Sequence, residues 1–204
     1  MNDAFLRMSF FAEGLKGRPA GSIVEATDHA LLRLEPTVGG HDLRVADVRA
    51  FLVAADARCA AEPGKCPSPM ERVVGDKLAS ANGDKRVVLA VPMRVDATIA
   101  APYMPYLSHE IWHAHYFLID GFADVVARFW EDVVTPADKN GIRDALRPTY
   151  EIDDPSRHDL LLNEFQAYLL AHREGSDGFE PFAERYRSAL LDALADQNIP
   201  THPM

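Results

Sequence analysis

Ser108-His109-Glu110-Ile111-Trp112-His113 is the stretch on which the reading of this chain turns. It spells H-E-x-x-H. Residues four apart on a helix lie on one face, so His109 and His113 can offer both imidazoles to a single metal ion. Glu110 stands about 100° round the helix from His109, clear of that tetrahedron but within reach of a water bound to the metal. Two neutral nitrogen ligands beside a carboxylate base is the division of labour that a zinc hydrolase needs. A core helix with two buried, hydrogen-bonded histidines would carry the same letters. Helical context and a third ligand have to separate the two readings.

The context is helical. Pro105 fits a first turn, where its missing N–H is harmless, and Gly121 can end the helix. Leu107, Ile111, Trp112, Ala114 and Leu118 supply an apolar face. Downstream, Val125, Val126, Phe129, Trp130 and Val133 mark a helix over 123–134, and Thr135-Pro136 stops it or starts the next. A short helix over 139–146 ends at Arg147-Pro148. Asp153-Asp154-Pro155-Ser156 opens another, with its carboxylates near the positive end of the dipole, running to about Glu174. Gly175 and Gly178 break it, and a last helix covers 181–196.

Upstream, Asn82-Gly83 is the strongest turn signal, and the β-branched run over 85–91 reads as a strand, as does 93–99 after Pro92. The segment 70–79 is of mixed character. His41 reads as a loop residue, and it or Asp42 opens a helix through Leu43, Val45, Val48, Phe51, Leu52 and Ala55. A segment over 22–34, helical or strand-like with Ala26, Ala30, Leu31 and Leu34 favouring helix, and a helix over 1–14 complete the chain. These elements predict a single domain over 1–204, α+β and predominantly helical, with a small β-sheet before the H-E-x-x-H helix. Within it, a helical part covers about 1–80 and a metal-binding part about 81–204.

At 204 residues the chain is long enough for a substantial core. Its net charge of −10 speaks against a general nucleic-acid or anionic-membrane binder. No run of 18 apolar residues is present, so no membrane span is expected. The first 15 residues carry Arg7 amid phenylalanines and read as an amphipathic helix rather than a signal peptide, which makes the cytoplasm the default compartment. Cys59 and Cys66 flank a Pro63-Gly64 turn. A disulfide there is sterically feasible and would point outside the cytoplasm; two reduced thiols fit the spacing as well.

Catalytic zinc takes three protein ligands and a water. The extension H-E-x-x-H-x-x-G-x-x-H fails, because Tyr116 and Ile119 stand at its glycine and third histidine. His115 points about 200° away from His113 and reads as a surface or supporting histidine. Asn163-Glu164-x-x-Ala167 resembles the N-E-x-x-(A/S) segment of the gluzincins, the thermolysin- and neprilysin-like branch of the zincin metallopeptidases.

That resemblance covers about ten residues in two pieces. It implies that His109, His113 and Glu164 bind Zn2+, that Glu110 is the general base, and that a peptide or protein is the substrate. It also implies that Ala167 lets the two helices approach, and that the strand before the metal helix borders the cleft. Many gluzincins have an aspartate four residues after the glutamate; here Tyr168 stands there, and its hydroxyl is a candidate to orient a ligand histidine. Tyr150, His158, Tyr168 and His172 are candidates for the donor that stabilises the oxyanion. The rival readings are an exposed Glu164 on an amphipathic helix, a zincin-like domain that binds without catalysing, or a helical protein with a coincidental motif. A diiron bundle would need a second E-x-x-H, which the sequence lacks.

Overall fold

The computed structural model describes residues 2–14, 19–25, 28, 41–79, 86–90, 103–171 and 178–201. Through them run α1 (Asn2–Glu13), β1 (His41–Arg44), α2 (Val45–Cys59), α3 (Pro69–Ala79) and β2 (Val87–Ala90), then α4 (Tyr103–Leu118), α5 (Phe122–Asp132), α6 (Pro136–Leu146), α7 (His158–Leu170) and α8 (Glu180–Asp196). The fold is α+β and predominantly helical, with a small antiparallel sheet whose second strand precedes α4. The chain divides into two compact units, Met1–Met93 and Arg94–Met204. Among the described residues no helix is long and apolar enough to cross a membrane.

In the first unit β1 and β2 pair antiparallel, with His41 opposite Ala90 and Arg44 opposite Val87. This corrects the start expected for α2. His41 lies in a strand, buried, and the helix begins only at Val45, whose N–H donates to the carbonyl of Arg86 at 3.0 Å. Four residues are too few for periodicity to reveal, and the partner strand lies beyond α3, so nothing local marks the segment as extended. Of the helix expected over 22–34, residues 22–25 and 28 are described and carry no regular structure. The Asn82-Gly83 turn and the strand expected over 93–99 lie outside the described residues.

The mixed segment after Pro69 is helical. Ser68 and Glu71 form a reciprocal cap, in which Ser68 N–H donates to Glu71 Oε2 (2.6 Å) and Glu71 N–H to Ser68 Oγ (3.3 Å). Glu71 is fully buried and bonded twice by Arg7 Nη1, at 3.0 and 2.9 Å. Arg7 Nε also donates to Val24 O (2.9 Å), and its Nη atoms lie 3.4 and 3.5 Å from Cys66 O. The lone cation of α1 is therefore a buried tie between four segments. Burial nonetheless holds the Glu71 carboxyl above its ordinary range, opposed by Ser68 and Arg7. A disulfide joins Cys59, at the end of α2, to Cys66 beyond the turn Pro63–Lys65. Phe5, Met8, Ile23, Leu43, Val48, Phe51 and Ala55 make the core of this unit.

The second unit packs α4 to α8 around Trp112, Phe122, Trp130, Phe165, Leu190 and their neighbours. Gly121 does not end α4 itself; it is the N-cap of α5, at φ +83°, where a side chain would be strained. Thr135-Pro136 starts α6, with Thr135 Oγ1 accepting from Asp138 N–H at 3.2 Å. Asp154 caps a short turn, Pro155–Arg157, that leads into α7. Both α4 and α7 are buried on several faces, Trp112–Tyr116 and Leu161–Ala167 without a break. These are inner helices rather than amphipathic surface ones.

Candidate metal centre

The two inner helices, α4 and α7, pack against each other and bring three side chains together. His109 and His113 Nε2 lie 2.9 Å apart. Glu164 Oε2, from α7, lies 3.7 Å from the first and 3.8 Å from the second. A point equidistant from the three atoms lies about 2.0 Å from each, the length of a zinc bond to imidazole nitrogen or carboxylate oxygen. Two ring nitrogens this close either share a proton or share a cation, since facing lone pairs repel. The donor set therefore fits a small divalent metal. Glu164 is 3% exposed, so it is not the solvent-facing glutamate of an amphipathic helix. Ala167, fully buried, adds no bulk one turn further along α7.

Glu110 is buried, and a carboxylate oxygen of it lies within 4.8 Å of a His113 ring nitrogen. That is close enough to serve a water held beside the histidines. Tyr168 meets His109 edge-on, ring centroids 4.6 Å apart, and stacks on Phe179 at 4.8 Å. The tyrosine thus backs the His109 ring by packing. Among the described residues His113 Nδ1 has no hydrogen-bond partner.

His115 does turn away from the cluster, but into the core and not to the surface. It is 4% exposed, edge-on to Trp112 at 5.0 Å, and burial depresses its basicity. Its ring meets Trp112 and Phe122 edge-on, and among the described residues its Nδ1 has no hydrogen-bond partner. His158 is exposed at the start of α7, where its charge helps lower the Glu131 carboxyl, chiefly held down by Lys139. It is six residues, or about 9 Å of helix rise, before Glu164. Tyr150 is half-buried against the core after α6. His172 lies outside the described residues.

One participant escaped the sequence reading. Gln166 is fully buried, and its Nε2 contacts Trp112 O (3.2 Å), Asn163 O (3.0 Å) and Asn163 Oδ1 (3.2 Å). Its only trace in the sequence is a third polar residue, after Asn163 and Glu164, in the largely apolar run from Leu160 to Leu170. No family model matches this chain, and no curated protein or solved structure matches it. The chemistry of the centre is therefore carried by its own residues.

Proposed function

We propose that this protein is a zinc-dependent metallopeptidase of gluzincin type, hydrolysing peptide bonds in peptide or protein substrates. The observation that carries the reading is the meeting of His109, His113 and Glu164 at zinc-binding separations, from two helices, with His113 and Glu164 51 residues apart in sequence. His109 and His113 would hold Zn2+ through Nε2 and Glu164 through Oε2, with the histidine protons on Nδ1. Zinc bound there supplies a Lewis acid and water acidified toward neutral pH. Glu110 accepts the proton of the attacking water on its carboxylate and delivers it to the leaving amine nitrogen. The buried walls of α4 and α7 keep bulk water from that carboxylate, and Tyr168 restrains the tilt of the His109 ring.

The test is metal content by plasma mass spectrometry, with peptide hydrolysis assayed alongside. We expect about one zinc per chain, lost or sharply weakened in Glu164→Ala. Glu110→Gln is expected to keep its zinc while hydrolysis falls by about 10²–10⁴-fold. Zinc retained by Glu164→Ala would remove Glu164 from the ligand set, and a native protein that takes up no zinc would sink the peptidase. Zinc binding without hydrolysis of any peptide pool would leave a binding module.

The Cys59–Cys66 bridge further supports an oxidising compartment. Cysteines that alkylate without reduction in freshly extracted protein would count against that placement.

A further inference from the structure

We infer that Gln166 is the positioning residue of the metal centre, setting the distance of Glu164 from the two histidines by gripping the backbone that leads into the ligands. The inference rests on the zinc reading above. The carbonyl of Trp112 belongs to the peptide group whose nitrogen is that of His113, and the carbonyl of Asn163 to the one whose nitrogen is that of Glu164. Gln166 Nε2 donates to both, at 3.2 and 3.0 Å. A single amide thus spans α4 and α7 at the peptide units immediately before two of the three ligands.

Glu164 stands nearly equidistant from the two histidines, 3.7 Å from His109 and 3.8 Å from His113. A slip of α7 by one residue along α4 would move the carboxylate by about 1.5 Å, enough to take it out of bonding range of a shared ion.

Packing alone does not account for a glutamine here. Residue 166 is fully buried, and among the described residues its Oε1 has no hydrogen-bond partner. Leucine or methionine would fill a similar space without stranding a carbonyl oxygen in the core. Nor can the amide be turned round, because its nitrogen faces three acceptor oxygens. The two N–H donors are what the position uses.

The experiment compares wild type, Gln166→Met, Gln166→Glu, Gln166→Asn and Leu190→Ala. Zinc affinity is measured by competition with a chromophoric chelator, and the unfolding midpoint on the metal-free proteins. Met keeps the volume without donors, Glu keeps the shape with a carboxylate that repels the three oxygens, and Asn keeps the amide on a shorter arm. Leu190, fully buried on α8, is a cavity control outside the centre.

We expect Gln166→Met and Gln166→Glu to bind zinc about ten- to a hundredfold more weakly, the effect of losing a group that orients a ligand. Gln166→Asn should fall between them and wild type. Leu190→Ala should lower the unfolding midpoint while leaving zinc affinity within about twofold of wild type. Wild-type affinity in every Gln166 variant that folds would overturn the inference, as would an equal loss in Leu190→Ala. Gln166→Asn, the mildest change, settles it should the other two not fold. A wild type that binds no zinc would instead overturn the metal reading itself.

Discussion

His41 and His109 show how differently two histidines of one chain can be used. His41 is buried on β1, accepting from or donating to Ser9 Oγ across 3.0 Å at Nδ1, and desolvation pushes its pKa down to about 4. Its unfolded value is about 6.5, so between pH 6.5 and 4 the unfolded chain takes up a proton that the folded one refuses. Stability is complete above pH 6.5 and falls as pH drops through that window. By pH 4.5 the loss is about 2–3 kcal/mol. Urea unfolding of wild type and His41→Phe at pH 7 and pH 4.5 measures it; the variant should lose less by about that amount. Equal losses would mean that His41 does not carry this proton.

The meeting of His109 and His113 was legible because their spacing is local, and that of Glu164 with them through a short segment with a chemical meaning. Gln166 and Arg7 were not. Each is a polar residue in an apolar helix, and its partners, Trp112 O and Glu71, lie 54 and 64 residues away.

Helix ends divide in the same way. α6 was visible from Thr135-Pro136, but whether that pair closed one helix or opened the next depends on a group the sequence does not put nearby. Tyr186, on α8, donates from its hydroxyl to Asp138 Oδ2 at 2.6 Å and accepts from Thr135 N–H at 3.2 Å. That hydroxyl is the main reason the Asp138 carboxyl sits below its ordinary range, with Thr135 and Arg185 assisting. Tyr186→Phe is expected to cost about 2 kcal/mol, the worth of a hydrogen bond to a charged acceptor plus a stranded donor. The readout is a lower denaturant midpoint at unchanged slope. A change under about 0.5 kcal/mol would show water taking the hydroxyl's place.

β1 was missed for a related reason, since a four-residue strand is defined only by its partner β2. β2 itself lies within an apolar, valine-rich run, Val87 to Val91, and was plain in the sequence.

At the scale of the whole molecule, each unit has a core of its own, Phe5 to Ala55 in one and Trp112 to Ile199 in the other. β2 belongs to the first because it pairs with β1, which carries that unit to Met93, past the point near residue 80 where the sequence shifts from helical to extended character. Both cysteines lie in the first unit, and both tryptophans, Trp112 and Trp130, in the second with His109, His113 and Glu164.

Reductant and chelator should therefore act on different transitions. Opening so short a disulfide loop is expected to cost the first unit about 2–3 kcal/mol while the tryptophan fluorescence transition stays in place. On the zinc proposal, withdrawing zinc should lower the tryptophan transition, by about 3 kcal/mol for a metal standing at a hundred times its Kd. A tryptophan transition that moves with reductant would mean that the units unfold as one.

The Arg7 tie also has a consequence for the order in which the chain is made. α1 leaves the ribosome well before Ser68 and Glu71 are synthesised, and until they arrive its guanidinium has no carboxylate to take it out of water. A nascent chain stopped short of residue 71 faces the full penalty of an unmatched buried charge, so α1 stays undocked. The helix made early is thus expected to be seated late, once its guanidinium can meet Val24 O, Cys66 O and Glu71 together.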